Sequence, residues 1–311
     1  MQIPQIHPAE LKPNELSKLL PTLSDESCER LQRLLRDPAF SGCIAATDVK
    51  FLADEESKSV DALMPDLLPL ARTYSRPPIS NYLVGAVVRG VSGNLYLGAN
   101  LEIPGHSLGF SVHGEQSAIA NAYMHGDKAV SVIAVTAAPC GHCRQFMNEL
   151  SPVQDIDVLV HGSPATRLSA LLPASFGPRN LGSNHGAFPV REAALVVPKV
   201  SDDLTNAAFD AARKSYAPYT KSHSGVAVAT HKGRIFSGPY IENAAFNPSL
   251  SPLQTALVAL IFSGGSFSDI SRAALVEVEG VAISQKSVTE AVLSAIAPSV
   301  KLQLETTRMK T

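Results

Sequence analysis

The strongest constraint on the fold of this chain is an internal repeat. SRPPISNYLVGAVVRGVSGNLYLGANLE at 75–102 aligns with SYAPYTKSHSGVAVATHKGRIFSGPYIE at 215–242 at a constant offset of 140 residues. After a two-residue deletion, HGEQSAIANA at 113–122 aligns with SPLQTALVAL at 251–260. Residues that recur at matching positions of the first pair include Ser75, Pro78, Gly85, Gly93, Gly98 and Glu102. The matching glycines predict that the same turns occur twice, and the chain is therefore interpreted as a duplicated domain.

The first copy alternates short strands with helices. YLVGAVVRG and LYLGANLE are β-rich and are joined by the glycine-containing turn GVSGN, which predicts a hairpin. Next, SVHGEQSAIANAYMHG has a helical apolar stripe that ends near Gly126, and AVSVIAVTAA is typical of a buried central strand. CRQFMNELS follows as a second helix. This β-β-α-β-α order predicts an α/β sandwich.

The rest of the chain suggests three units. Residues 1–55 are predicted to be a helical segment because NELSKLLPTL and DESCERLQRLLRD space their apolar residues three and four apart. The first copy is expected at 56–178 and begins with DALMPDLLPLARTYS, a helix interrupted at its prolines. The second copy is expected at 188–311, after a boundary rich in Gly, Pro and Asn.

Composition narrows the class of protein and its partners. A formal net charge of −2 provides no global positive field to attract nucleic acid or an anionic membrane, so neither is expected as a partner. No uninterrupted apolar run approaches the ~20 residues that span a bilayer, and the N-terminus does not resemble a secretory signal. Four cysteines in 311 residues do not form a disulfide framework. We expect a cytoplasmic protein.

Three potential metal ligands stand out in the first copy. His113 precedes the first of the two helices, and Cys140 and Cys143 open the second within Pro139-Cys-Gly-His-Cys143. Catalytic zinc sites use three protein ligands and leave one position for water, whereas structural sites use four. Helix N-termini favour thiolates because the helix dipole stabilises negative charge there. These residues are therefore interpreted as ligands of one catalytic Zn²⁺ per chain.

The Cys140–Cys143 segment has other interpretations besides a catalytic zinc site. A Cys-x-x-Cys pair is also found in structural zinc sites and in redox centres, and His142 is an alternative ligand. A redox pair would leave His113 and Glu115 unexplained, and no cysteine follows Cys143 to complete a structural site. Glu115, two residues after His113, is placed to act as a general acid and base rather than as a ligand. Together these residues match the H-x-E…P-C-x-x-C signature of zinc deaminases.

The second copy has lost this chemistry. His113 aligns with Ser251 and Glu115 aligns with Leu253, and the copy contains no cysteine. Replacing a ligand and a carboxylate in this way removes the polar site. We therefore expect the second copy to have a structural role.

The sequence resembles the homodimeric, duplicated-domain cytidine deaminases over about residues 60–270. The segments that carry the resemblance are SNYLVGA, GANLE, HGEQSAI, PCGHCRQFMNEL, ASFGP, GRIFSG and ENAAFNP. The resemblance implies a three-layer α/β/α core in two copies, a catalytic N-terminal one and a degenerate C-terminal one, behind a helical N-terminal extension. It also implies a homodimer that converts cytidine and deoxycytidine to uridine and deoxyuridine with release of ammonia.

The resemblance assigns further substrate-binding residues. Asn100 and Glu102 match positions that hydrogen-bond the ribose hydroxyls, although turn formation by Asn100 and a solvated strand end at Glu102 are alternatives. Tyr82 matches a position where a phenylalanine usually stacks on the pyrimidine, and core packing is the competing interpretation. Gly114 takes the place of an alanine whose backbone hydrogen-bonds the base. Phe176 resembles an aromatic residue that reaches the active site of the partner subunit.

Two other functions remain as alternatives. A deaminase acting on cytosine in nucleotides or polynucleotides would need cationic phosphate contacts, and Glu102 beside the ribose disfavours added negative charge. A catalytically inactive scaffold on the same fold is the second alternative. The N-terminal copy retains every element of the motif, which favours an enzyme.

Overall fold

The structure is a computed structural model that describes residues 8–150, 155–199 and 202–310. Its helices, numbered along the chain, are α1 (Pro13–Leu19), α2 (Asp25–Leu35), α3 (Ala46–Glu55), α4 (Val60–Leu63), α5 (Leu68–Arg72), α6 (Gly114–Met124), α7 (Gly141–Met147), α8 (Leu168–Leu171), α9 (Asp203–Arg213), α10 (Pro252–Phe262) and α11 (Lys286–Ile296). Its strands are β1 (Cys43–Ile44), β2 (Gly85–Gly90), β3 (Leu95–Ala99), β4 (Val130–Val135), β5 (Asp157–Val160), β6 (Thr166–Arg167), β7 (Ser224–Thr230), β8 (Ile235–Pro239), β9 (Ile270–Val278) and β10 (Leu302–Thr307).

The first copy is built on a six-stranded sheet with the order β1-β3-β2-β4-β5-β6. The predicted hairpin is β2–β3, in which Ala86 faces Gly98, and β4 pairs with the other edge of β2. The helix predicted before β2 is interrupted as expected, because Met64–Leu67 forms a 3₁₀ turn between α4 and α5. The N-terminal segment is more than helical, since its strand β1 pairs antiparallel with β3. A strand of two residues is too short to produce a periodic pattern in the sequence.

The second copy repeats this arrangement in a four-stranded sheet with the order β10-β9-β7-β8. Ala86 faces Val135 in the first copy and Val226 faces Leu275 in the second, so both partners are related by the 140-residue offset. Irregularities in register recur at Arg89/Gly90 and at Ala229/Thr230. The structure confirms the duplication.

The matched glycines serve two different purposes. Gly93 has a φ of +87° and lies in the β2–β3 turn, where a left-handed backbone favours glycine. Gly98 instead lies under α6, and a Cβ atom on it would be 2.2 Å from the Ala118 nitrogen. Its counterpart Gly238 has the same 2.2 Å approach to the Ala256 nitrogen of α10. The matched glycines Gly93 and Gly233 thus form the same turn twice, as predicted, whereas Gly98 and Gly238 permit close helix packing.

The same glycines show that each sheet is covered by helices on both faces. A Cβ atom on Gly85 would lie 2.6 Å from the Leu68 carbonyl oxygen at the start of α5. Gly85 is opposite Ala99, whereas Gly98 is opposite Ala86, so the two glycines are on different faces of the β2–β3 ladder. Helices α5 and α6 therefore enclose the sheet. Gly225 under α9 and Gly238 under α10 repeat this layering, which confirms the three-layer α/β/α fold.

The two copies share a continuous apolar core and contact each other reciprocally. The Tyr74 ring stacks on Phe262 with centroids 4.5 Å apart. Gln116 of α6 donates from Nε2 to the Pro248 carbonyl oxygen, and Gln254 of α10 donates to that of Phe110, both at 3.1 Å. The donors Gln116 and Gln254 are 138 residues apart in the sequence, and so are the acceptors Phe110 and Pro248. This is the offset expected after the two-residue deletion. Within the described residues, no helix is long and apolar enough to cross a membrane.

Candidate metal centre

The three predicted metal ligands lie at the beginnings of two helices. His113 is the N-cap residue of α6, with φ −81° and ψ 158°, and Cys140 is the N-cap residue of α7. Cys143 is in the first turn of α7 and is fully buried. The free N–H groups of a first helical turn favour negative charge, so both thiols lie where thiolates are stabilised.

The spacing of the three donor atoms fits a tetrahedral zinc ion. The two Sγ atoms are 3.7 Å apart, and His113 Nδ1 is 3.4 Å from Cys140 Sγ and 3.3 Å from Cys143 Sγ. With Zn–S and Zn–N bonds of about 2.3 and 2.0 Å, a tetrahedron separates its sulfurs by about 3.8 Å and nitrogen from sulfur by about 3.5 Å. Within the described residues, His113, Cys140 and Cys143 form the group of His, Cys, Asp or Glu side chains that is compact enough to hold a metal ion.

The two thiols are hydrogen-bonded to each other, with their Sγ atoms 3.7 Å apart. This hydrogen bond lowers the pKa of Cys140 to about 4. The same hydrogen bond, together with burial, raises the pKa of the Cys143 thiol. The lowered pKa favours the thiolate form of Cys140, and a cation in the cluster would favour loss of the proton from Cys143.

Glu115 lies beside this cluster but is not a member of it. Its side chain is 5% exposed, and burial raises its pKa, while the nearby Cys143 and His113 lower it. A buried carboxyl group whose pKa is raised toward neutrality is suited to taking up and releasing protons.

His142 points toward Gln116 rather than into the cluster. Its Nε2 atom is 3.2 Å from Gln116 Nε2, and its ring lies 5.4 Å from the His113 ring. The amide nitrogen is a donor, so His142 Nε2 must be the acceptor, with its proton on Nδ1. Burial lowers the pKa of His142, which agrees with a neutral ring. The alternative in which His142 is a ligand has no support in this geometry.

Asn100 and Glu102 both bind the segment that carries Tyr82. Asn100 accepts a hydrogen bond from the Val84 N–H at 2.9 Å and donates to the Tyr82 carbonyl oxygen at 2.9 Å. Glu102 accepts from the N–H groups of Ile79 and Ser80 at 2.8 and 2.9 Å and from the Ser80 hydroxyl at 2.5 Å. Glu102 therefore holds the backbone at Ile79 and Ser80 through three hydrogen bonds.

The family comparisons agree with both the duplication and the site. Two family models, each described as the cytidine and deoxycytidylate deaminase zinc-binding region, match residues 58–159 and 168–290. A cytidine deaminase of Vibrio cholerae is 42% identical over 293 residues, covering 93% of this chain and 98% of the relative. The chain belongs to the cytidine deaminase family.

A second relative gives the same result. A cytidine deaminase of Sodalis glossinidius is 42% identical over 278 residues, covering 86% of this chain and 90% of the relative. The crystal structure of cytidine deaminase from Burkholderia pseudomallei is 30% identical, covers 38% of this chain and 99% of that chain, and has a TM-score of 0.34.

The second family match falls on a copy without the ligands. Ser251 takes the place of His113 and caps α10 through its hydroxyl, which accepts from the Gln254 N–H at 3.3 Å. Leu253 takes the place of Glu115 and is fully buried. In the second copy, the position of the histidine ligand therefore serves to cap a helix, and the position of the glutamate serves core packing.

The remaining predicted site residues are Tyr82, Gly114 and Phe176. Tyr82 has 58% of its side chain exposed, so it does not pack in the core. A Cβ atom on Gly114 would lie 2.8 Å from Val84 Cγ1, so an alanine there requires Val84 to move. Phe176 is 45% exposed, and its carbonyl oxygen accepts from Gln145 of α7 at 2.8 Å.

Sequence reasoning overlooked several residues that contact the metal-binding helices. Gln116 is 1% exposed and links α6 to the second copy, and Gln145 and Glu149 link α7 to it. The sequence contained one signal for Gln116: its counterpart Gln254 is also a glutamine, although the neighbouring histidine and glutamate are not retained in the second copy. A cleft of about 780 Å³ between 181–194 and 215–223 contains none of the predicted site residues.

Proposed function

We propose that this chain catalyses the hydrolytic deamination of cytidine and deoxycytidine to uridine and deoxyuridine, with release of ammonia. The observation that carries the proposal is the compact cluster of His113, Cys140 and Cys143 with the buried Glu115 beside it. The 42% identity to cytidine deaminases across most of the chain supports the same reaction.

The N-terminal copy supplies the reacting groups. His113, Cys140 and Cys143 would hold Zn²⁺, which when bound supplies Lewis acidity and lowers the pKa of water to about 7. Glu115 accepts a proton from the attacking water and transfers it to N3 of the pyrimidine as the water oxygen bonds to C4. Glu115 then takes the remaining proton from the new C4 hydroxyl and passes it to the amino group, and the C4–N4 bond breaks as the C4 carbonyl forms, which releases ammonia. Its raised pKa favours this alternation between charged and neutral forms.

The proposal assigns the nucleoside contacts to four further residues. Asn100 and Glu102 are proposed to hydrogen-bond the ribose hydroxyls, and the exposed face of Tyr82 is proposed to stack on the pyrimidine. The backbone of Gly114 is proposed to hydrogen-bond the base. Exposure of Tyr82 supports this role, because a core residue would be buried.

The decisive test is purified protein with cytidine, followed by the loss of ultraviolet absorbance. Cytidine, cytidine monophosphate and single-stranded DNA are assayed in parallel to compare the three substrate classes. We expect turnover of the nucleoside and little of the others. Absence of turnover in protein that contains one zinc ion per chain would contradict the proposal.

Glu115→Ala provides the matched variant. We expect it to retain zinc, because Glu115 is outside the ligand cluster, and to lose about 10²–10⁴-fold in kcat. Metal analysis and the ultraviolet assay measure the two properties on one sample. Substantial residual turnover would refute the assigned role.

We further propose that the protein is a homodimer and that Phe176 reaches the partner's active site. The 45% exposure of this aromatic side chain supports that role. Sedimentation should give about twice the chain mass of 32.9 kDa. The boundaries 1–55, 56–178 and 188–311 remain predictions, as does a cytoplasmic location, which the four free cysteines favour.

A further inference from the structure

A loop of the second copy contacts both helices that carry the metal ligands. We define this brace loop as residues 243–249, with the sequence NAAFNPS. Its Pro248 carbonyl oxygen accepts from Gln116 Nε2 of α6 at 3.1 Å. At its other end, Asn243 Nδ2 donates to the Gln145 carbonyl oxygen of α7 at 3.1 Å. The Ala244 N–H donates to the carboxylate of Glu149, just after α7, at 2.8 Å.

The brace loop is built to hold a fixed shape. An antiparallel bridge between Ile241 and Leu250 closes its base. Within it, the Asn243 N–H donates to the Ser249 hydroxyl at 2.9 Å, and the Ala245 N–H donates to Asn243 Oδ1 at 2.9 Å. Asn243 is fully buried. Because these polar groups are hydrogen-bonded within the loop, the loop can hold its two ends at a fixed separation.

Gln116 connects the brace loop to the ligand cluster. Its Oε1 accepts from the His113 N–H at 3.2 Å, while its Nε2 faces the Pro248 carbonyl and the ring of His142. The opposite orientation of the amide would place a donor against the His113 N–H and an acceptor against the Pro248 carbonyl. One orientation therefore satisfies all these partners, and it fixes the backbone at the histidine ligand.

We propose that the brace loop holds α6 and α7 at the separation that the three ligands require, with Gln116 and Gln145 as positioning residues. The proposal rests on the metal ligation described above. His113 is on one helix and both cysteines are on the other, so the donor spacing depends on how the helices are held relative to each other. The second copy thus contributes to the metal site without supplying a ligand.

The test compares zinc release from three variants of the full-length protein. Asn243→Asp replaces the donor to Gln145 with an acceptor but changes no residue of the first copy. Gln116→Ala removes the contact with Pro248. Gln32→Ala is the control, because Gln32 is a buried glutamine whose Nε2 donates to the Leu11 carbonyl oxygen at 2.7 Å, far along the chain from the ligands.

We expect Asn243→Asp and Gln116→Ala to release zinc to a chromogenic chelator about 10–100-fold faster than the parent. Their kcat should fall more than their KM changes, because the metal site rather than the substrate contacts is disturbed. Gln32→Ala should melt at a lower temperature but retain the parental release rate. If Asn243→Asp does not fold, Gln145→Ala is used instead, because it removes the second contact between these residues, the hydrogen bond from Gln145 Nε2 to Asn243 Oδ1 at 3.4 Å.

Parental release rates in both brace variants, or an equal acceleration in Gln32→Ala, would overturn the proposal. Its failure is distinguishable from failure of the proposed function. Faster zinc release from the variants of a protein that does not turn over cytidine supports the brace and contradicts the reaction. Normal turnover with unchanged release supports the reaction and contradicts the brace.

Discussion

At the residue scale, the two glutamates that the repeat aligns have the same bonding. Glu242 accepts from the Tyr219 N–H at 2.8 Å, the Thr220 N–H at 3.3 Å and the Thr220 hydroxyl at 2.7 Å. These donors correspond one by one to those that bind Glu102. Retention of the glutamate in the second copy therefore has a structural cause, because it fixes the backbone of a turn. Asn100 is different, since Tyr240 replaces it.

This bonding suggests a test that separates substrate binding by Glu102 from its structural role. Glu242→Ala should lower the free energy of unfolding by about 2–3 kcal/mol, because a buried charged acceptor is lost, and should leave KM unchanged. Glu102→Ala should also be destabilised, and it should lose the preference for cytidine over 2′,3′-dideoxycytidine. Denaturant unfolding and paired kcat/KM measurements distinguish the two effects. An equal loss for both nucleosides would indicate that Glu102 only holds the turn.

At the element scale, the approach of a helix to its sheet depends on single glycines. Gly98 and Gly238 admit the backbone of α6 and α10 at distances that no side chain permits. In the first copy, the helix positioned in this way carries His113 at its N-cap. Packing of β3 against α6 therefore determines where the histidine ligand lies.

We expect Gly238→Ala to destabilise the protein by about 1–3 kcal/mol, because the new methyl group would lie 2.2 Å from both the Ala256 backbone nitrogen and Thr255 Oγ1 of α10. Gly109→Ala is the control, since its nearest contact would be a hydroxyl 3.6 Å away. Urea unfolding of both variants measures the difference. Equal stability of the two would show that α10 shifts without cost.

Elements were predictable where their pattern was local. The β2–β3 hairpin, the buried strand β4 and the helices α6 and α7 follow from alternation, apolar runs and glycine positions in the sequence. Strand β1 was not predictable, because two residues carry no periodicity and its partner β3 lies about fifty residues later. The dual role of the matched glycines also required the structure, since sequence identity does not distinguish a turn from a close contact.

At the scale of the whole molecule, a buried carboxylate joins the two copies. Glu149 is fully buried and accepts from the hydroxyls of Tyr216 and Tyr219 at 2.8 and 2.5 Å. Burial raises its pKa above the ordinary 4.5, although these hydrogen bonds lower it. We therefore expect the stability of the interface between the copies to depend on pH.

The direction of the pH dependence of stability follows from the raised pKa of Glu149. A carboxyl group whose pKa is higher in the folded state contributes stability while it is protonated, and that contribution is lost as the pH rises through the folded pKa. The stability of the parent relative to Glu149→Gln should therefore fall as the pH rises above 4.5. Urea unfolding of both proteins from pH 4 to pH 8 measures the difference. A pH-independent difference would mean that Glu149 titrates alike in the folded and unfolded states.

The sequence by itself determined the duplication, the layered α/β fold and the identity of the ligand cluster, because each rests on spacing within short segments or on a constant offset. The tertiary structure alone decided how the second copy contacts the first. Gln116 meets Pro248 across 132 residues, and Gln145 meets Asn243 across 98. Such contacts produce no periodic pattern in the sequence, since they depend on how the two copies pack against each other. For the same reason, only the structure shows that the copy without ligands lies against both ligand helices.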